Sequence, residues 1–324
     1  MVHCLAVEYR SLGASGLRVS EIGLGSWLTL GSRIDVAATR EIVHRAFELG
    51  VNFFDTADVY SDGGAEEALG VALSDLPRRQ LVIASKAFFP MSNDVNDRGL
   101  SRKHLFESID DSLRRLRTDY LDLHQCHRHD PNTPIEETVC AYEDLIRQGK
   151  LLYWGVSEWS AVDITKACEV ADARNAYRPI SNQPQYSIMR RKLEAEVLPA
   201  CERVGVSQLV FSPLAQGVLS GKYSGGARPA ESRATDDSRN IFMNAYLEPA
   251  ELAKVDQLEP LAAKLGISLA QLALAWCLRK PNVASAIVGV TRASQLRENV
   301  GATGFRLPSA VAEEIDTIFP GPSA

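Results

Sequence analysis

The stretch "YLDLHQCHRHDPNTPIEETVCAYEDLIRQGKLLYWGVS", Tyr120 to Ser157, holds one complete unit of the chain's architecture. "YLDLHQ" (120–125) is a short apolar run of strand character, and "IEETVCAYEDLIRQG" (135–149) carries the 3.6-residue apolar period of an amphipathic helix. Gly149 stands just past that period, where a left-handed cap favours a residue without Cβ. "YWGVS" (153–157) is again a strand. Side chains alternate along a strand, so Leu121, Leu123, Gln125 and His127 share one face while Asp122, His124 and Cys126 share the other. The histidines of "HQCHRH" are thereby split. A metal site would need His124 and Cys126 as a pair plus ligands from elsewhere, and no matched set lies nearby, so no metal is expected. His127 is the group expected to carry chemistry. His124 is expected to be packed or supporting, and His129 to be a solvated loop residue.

The same rhythm runs almost from end to end. Strand candidates are "EIGLG" (21–25), "FFD" (53–55), "LVIASK" (81–86), "YLDLHQ", "YWGVS", "ISNQ" (180–183), "QLVFS" (208–212) and "SAIVG" (285–289). Helical periods separate them: "VAATREIVHRAFELG", "AEEALGVALSDL", "SRKHLFESIDDSLRRL", "AVDITKACEVADA", "LEAEVLPACERVG", "LAKVDQLEPLAAKLG" and "SLAQLALAWCLRK". Gly50, Gly205 and Gly266 mark helix ends, and Ser101 and Ser268 mark helix starts. Strand-helix units in this number and length fit an α/β fold of the closed (β/α)8 TIM barrel type better than an open doubly wound sheet. The glycine fingerprint of the open sheet is missing, since "GLGSW" (23–27) is only a fragment of it. "YRSLGASGLRVSEIG" reads as an extra N-terminal β-hairpin, about 8–21, turning around Gly13 to Gly16 and plugging the barrel bottom. A single barrel domain over 1–324 is expected, with one long loop, about 220–246, of the kind that forms a lid or binding loop.

Composition narrows the function. The chain has 324 residues, 45% of them hydrophobic, and a formal net charge of -6 without basic clusters. Nucleic-acid binding is therefore not expected. The six cysteines are scattered without CxxC spacing, and "MVHCLAVEYR" lacks the layout of a signal peptide. Reduced thiols in the cytoplasm are expected. The most apolar helical stretch, "SLAQLALAWCL", is far shorter than the roughly 20 residues a membrane span needs, so no membrane segment is expected.

In such a barrel the site is assembled from residues at the C-terminal ends of the strands. There stand "FDTADVY", "ASKAF", "LHQCHRHD", "GVSEW" and "ISNQPQY". A tyrosine beside a lysine is a tuned proton donor, because a nearby cation lowers the phenol pKa from about 10. An aspartate beside that lysine keeps it charged. Asp55, Tyr60 and Lys86 thus form a coherent general-acid unit, and a neutral His127 can aim a carbonyl oxygen and stabilise its growing charge. Isolated, each could be a cap, a surface cation or rim packing; their joint occurrence on successive strand ends is what carries weight. Substrate walls are expected from the loops 26–34, 87–100, 128–133 and 221–246, with Trp27, Phe88, Phe89 and Trp159 as candidates beside Tyr60 and His127.

Over nearly its full length, from "GLGSW" to "QLRENVGA", the chain resembles the aldo-keto reductases. The family's Asp, Tyr, Lys, His tetrad is matched by Asp55, Tyr60, Lys86 and His127, in order with "GVS", "SNQ", "FSPLAQGVLSGKY" and "GVTRASQLRENVGA". "SPLAQGVLSGKY" and "IVGVTRASQL" look most like the branch that contains the potassium-channel β-subunits and their bacterial relatives.

The resemblance implies a nicotinamide dinucleotide across the barrel mouth, NADPH rather than NADH, with NADH left open. It implies contacts from Ser26, Trp27 and Asp55. Ser157, Asn182 and Gln183 would take the carboxamide, and Phe211 would stack on the nicotinamide. Ser212, Pro213, Leu214, Lys222 and Arg233 would cover the pyrophosphate. Gly289, Thr291, Gln295, Glu298 and Asn299 would hold the adenosine end. Glu158 departs from the Asn common in the wider family, and Phe211 from its Tyr or Trp.

The expected reaction is reversible reduction of an aldehyde or ketone, with Tyr60 as acid. The alternative is a subunit that senses the dinucleotide with slow redox chemistry. The expected partner is a small carbonyl compound, and a homo-oligomer is compatible with the chain. No extension of the channel-inactivating kind precedes "YRSLG", which lowers the expectation of a channel partner.

Overall fold

The computed structural model describes residues 7–31, 34–229, 233–235 and 243–322. Ten strands run in chain order: β1 (Tyr9–Ser11), β2 (Arg18–Ser20), β3 (Ile22–Gly25), β4 (Phe53–Asp55), β5 (Val82–Ala87), β6 (Leu121–Cys126), β7 (Leu151–Ser157), β8 (Ser181–Gln183), β9 (Ser207–Phe211) and β10 (Val283–Val288). The last eight close into a parallel barrel in which β10 pairs with both β9 and β3. All eight strand candidates form these strands, with "FFD" matched at both ends and no end shifted by more than two residues.

Around the barrel lie α1 (Val36–Glu48), α2 (Gly64–Leu73), α3 (Arg102–Leu116), α4 (Ile135–Arg147), α5 (Ala161–Ala173), α6 (Val197–Val204), α7 (Pro249–Asp256), α8 (Glu259–Lys264) and α9 (Leu269–Leu278). Ser101 and Ser268 cap α3 and α9 as expected, and Ser268 completes a capping box with Gln271. Gly50, Gly149, Gly205 and Gly266 all take positive φ at helix ends. The expected helix "LAKVDQLEPLAAKLG" is two, broken before Pro260 because proline cannot donate into a continuing helix. α10 (Ala293–Val300) and α11 (Ser309–Ile318) were not expected as helices. α10 buries only Leu296, Asn299 and Val300, too thin an apolar stripe to read from the sequence.

The strand alternation sorts two cores. Phe53, Val82, Ala84, Leu123, Leu209 and Ile287 fill the barrel with Leu12 and Val19 of the hairpin. The hairpin therefore stoppers the bottom, as expected, with the Gly13 amide on the Ser207 hydroxyl at 2.8 Å and the Ala14 amide on the Gly205 carbonyl at 2.8 Å. Outward residues such as Leu24, Phe54, Ile83, Trp154 and Val210 meet the helices, and Trp154 stacks on Tyr142 of α4 at 4.6 Å. Interior room is tight. A Cβ on Gly155 would fall 2.1 Å from the Ser181 hydroxyl, and one on Gly23 would fall 2.5 Å from the Phe53 ring. Glycine at both places is a packing requirement of neighbouring strands.

The long loop is described at 220–229, 233–235 and 243–246, where it forms short 3-10 turns at Ser224–Gly226, Arg233–Thr235 and Asn244–Tyr246. The remainder of that expected segment lies outside the described residues. Among the described residues no single helix is long and apolar enough to cross a membrane.

Candidate active site

The parallel register carries Asp55, Lys86 and His127 to the same end of neighbouring strands, and the turn after β4 brings Tyr60 over them. Lys86 is fully buried. Its ammonium donates to the Asp55 carboxylate at 2.7 Å and to the Thr56 carbonyl at 2.7 Å, with the Tyr60 hydroxyl at 3.4 Å. Gln183 donates to the other Asp55 oxygen at 2.8 Å, so the carboxylate is held from both sides. The Tyr60 and His127 rings meet edge to face at 5.6 Å. The structure thus brings together the four residues singled out from the strand ends. Thr56 could not be found from the sequence, because its contribution is a backbone carbonyl that any residue supplies.

The electrostatics follow from burial. Burial pulls the Lys86 pKa down, but Asp55 and Tyr60 together override it and leave the ammonium above its ordinary value. His127 is pushed well below the ordinary histidine value by burial, then by Lys86 and Arg128, so it is neutral at pH 7. The Tyr60 expectation is reversed. Burial raises its pKa by more than Lys86 lowers it, and Asp55 raises it further, so the phenol titrates above its ordinary value rather than below it.

The other two histidines play no part in this group. His124 lies on the outer strand face, where its Nδ1 meets the Tyr142 hydroxyl at 2.8 Å, and burial holds its pKa near 3. His129 is not the solvated residue expected; it is half-buried, edge-on to Trp159 at 4.9 Å and 3.8 Å from Asp163. Among the described residues no three or more His, Cys, Asp or Glu side chains gather as metal ligands, and the five described cysteines are free thiols.

Behind the Tyr60 turn sits an acidic pair that sequence reading missed. Glu66 is fully buried, accepting from the Ser85 hydroxyl and from Arg115 Nε, while Asp58 accepts from the Ser108 hydroxyl at 3.0 Å. Burial and the neighbouring Glu66 push the Asp58 pKa up to about 7. The folded state then binds a proton that the unfolded chain releases at its ordinary value, so stability falls as pH rises from about 4 to about 7. Asp58→Asn keeps the shape of the protonated acid. It should gain stability over the parent across that window, with a ceiling of about 4 kcal/mol set by roughly three pH units at about 1.4 kcal/mol each. Urea unfolding at pH 5 and pH 8 checks this; equal effects at both pH values would contradict it.

The rim residues divide. Ser26 donates to the Thr56 hydroxyl at 2.8 Å, which sets the Ser26-Trp27 turn beside Asp55. Ser157 donates to the Gln183 carbonyl at 2.8 Å. Phe211 ends β9 half-exposed, and Ser212, also half-exposed, Pro213 and Leu214 follow. Ser212, Ala215, Gln216 and Gly217 all take positive φ, which curls this segment tightly. A Cβ on Gly217 would come within 2.9 Å of the Lys222 amine, so the glycine lets that exposed cation lie across the loop. Gly289 is exposed at the end of β10, and Gln295 accepts from the Thr291 amide at 2.9 Å. Glu298 is exposed and Asn299 buried on α10, whose first turn has no side-chain cap. The Arg233 side chain lies outside the described residues.

Asn182 is a correction. Ser181 and Gln183 point inward, so alternation turns Asn182 outward, where its amide donates to Gln208 at 3.0 Å. It is not brought to the mouth. Trp159, expected as a pocket wall, is only 3% exposed and packs in the outer core. Phe88 is half-buried against that core, and it is Phe89 that meets His127, at 4.9 Å.

A buried lysine-aspartate pair under a tyrosine and a neutral histidine, at the C-terminal mouth of a (β/α)8 barrel, is the arrangement of one class of oxidoreductase. The chain belongs to the aldo/keto reductase family, whose model matches residues 21–319. Membership makes it an NAD(P)H-dependent oxidoreductase. It is 45% identical over 314 residues to a protein of Oryza sativa subsp. japonica named "Probable voltage-gated potassium channel subunit beta", covering 96% of this chain and 95% of that one. A protein of Arabidopsis thaliana with the same name is 46% identical over 299 residues, 91% of each chain. A "Putative voltage-gated potassium channel subunit beta" of Schizosaccharomyces pombe is 40% identical over 322 residues, 97% of this chain and 93% of the relative.

Proposed function

We propose that the protein, working as one barrel domain in the cytoplasm, reduces the carbonyl of an aldehyde or ketone to an alcohol, reversibly, with NADPH as the preferred dinucleotide. The observation that carries this is the fully buried Lys86 ammonium, held 2.7 Å from Asp55 and 3.4 Å from the hydroxyl of Tyr60. The bound reduced nicotinamide would supply a hydride to the carbonyl carbon. Tyr60 donates its proton to the carbonyl oxygen as negative charge builds there. Lys86 sits beneath and stabilises the phenolate that remains, and Asp55 holds Lys86 in place. Neutral His127 donates a hydrogen bond that aims the oxygen at Tyr60.

Features of the mouth support a dinucleotide there. Phe211 offers a half-exposed ring, Gln183 lies beside Asp55 with Ser157 bonded to the Gln183 carbonyl, and Lys222 with the uncapped first turn of α10 offers charge complementarity to phosphates. The names of the relatives raise a second reading, in which the same site senses the dinucleotide for a partner with slow chemistry. The intact group of Asp55, Tyr60, Lys86 and His127 favours the enzyme.

Fluorescence titration with NADPH and NADH, followed by a panel of aldehydes in the same cuvette, separates the readings. Tight NADPH binding with aldehyde-dependent oxidation is expected. Binding without turnover supports the sensor, and absence of binding overturns both.

A further inference from the structure

Next to His127 at the mouth stands Arg128, whose charge the reaction as described does not use. Its guanidinium donates to the His127 carbonyl at 2.5 Å and lies 5.5 Å from the centre of the Phe89 ring, which itself touches His127. The side chain is half-buried. Among the described residues no carboxylate lies within ion-pair distance of it. The acid closest in sequence, Asp130, is taken up by the Leu100 and Asn132 amides at 2.9 Å each and by the Thr133 hydroxyl at 2.7 Å. A guanidinium kept on an aromatic face beside the reacting group, with the neighbouring acid turned elsewhere, is a receptor for a planar anion that arrives with the ligand.

We propose that Arg128 binds a carboxylate of the substrate, so that the preferred substrates are aldehydes or ketones carrying a carboxylate on an apolar or aromatic frame. The proposal deepens the carbonyl-reductase reading and rests on it. Phe89 supplies the face for the frame, His127 and Tyr60 take the carbonyl, and Arg128 takes the acid. A planar fork suits a planar carboxylate, which it can hold through two parallel hydrogen bonds.

The test compares 4-carboxybenzaldehyde with its uncharged methyl ester, methyl 4-formylbenzoate, as substrates of the parent, Arg128→Met and Arg128→Lys. In the parent the acid should have the higher kcat/KM by about tenfold or more. In Arg128→Met the acid should lose about 10- to 100-fold, chiefly through KM, as expected for a hydrogen-bonded charge. The ester should fall far less. Arg128→Lys, which keeps the charge and loses the fork, should lie between. Arg128 also acts electrostatically on Tyr60 and His127, but that effect falls on acid and ester alike, so the ratio isolates the carboxylate. An equal fall for both substrates, or no preference in the parent, overturns the Arg128 assignment while leaving the reductase standing. Turnover of neither aldehyde overturns the reductase reading and takes the assignment with it.

Discussion

Replacing Tyr60 by phenylalanine should lower kcat by roughly 10²–10⁴-fold, the range that positioned proton donors supply, while the affinity for NADPH changes little. The ring remains against His127 and over the Lys86 ammonium, which lies 5.0 Å from its centroid, so packing at the mouth is kept and only the hydroxyl is lost. The pH dependence sharpens the expectation. Burial holds the Tyr60 pKa above its ordinary value, so the parent should reduce carbonyls at a rate independent of Tyr60 ionisation through neutral pH. In the proposed mechanism the reverse oxidation uses the phenolate as base and should climb with alkalinity. Tyr60→Phe should remove both the rate and that slope. Stopped-flow measurement of dinucleotide oxidation, with fluorescence titration for affinity, reads the two quantities separately; near-parental kcat would remove Tyr60 from the mechanism.

Lys86→Met should be the most damaging change to both fold and chemistry. It leaves the Asp55 carboxylate buried with the Gln183 amide still donating to it, and breaking a buried pair in this way costs about 3–5 kcal/mol. The tyrosine would also lose the largest influence that lowers its pKa, so turnover should fall by roughly 10²-fold or more. Adding Asp55→Asn to Lys86→Met removes the stranded charge. Urea unfolding of the double variant should recover most of the lost stability while assays show no recovery of turnover. Recovery of both would mean that the pair acts only as scaffold.

The barrel was legible because its signal is repetitive. Each βα unit states the same pattern independently, and a slip of one residue at a strand end does not disturb the count. Asp55, Lys86 and His127 were legible for a related reason, since strand ends in a barrel converge by geometry. Asn182 was misplaced because likeness of motif was followed where alternation along "SNQ" turns its middle residue outward. The sign of the Tyr60 shift depended on how tightly the turn closes over it, a matter of packing that spacing does not encode. Asp58, Glu66, Ser108 and Arg115 are distant in sequence, and only the approach of α2 to α3 shows that they share one buried cluster. α10 was passed over because an eight-residue helix buries too little to leave a period.

The hairpin at the foot of the barrel gives the molecule a handle. Gly16 lies in its turn with open space where a Cβ would be, at the opposite end from Tyr60. A cysteine introduced there could carry a dye or bond the protein to an electrode or bead, leaving the working end turned toward the bulk liquid. Chemistry and attachment would then be adjustable separately, by residues that share no contact.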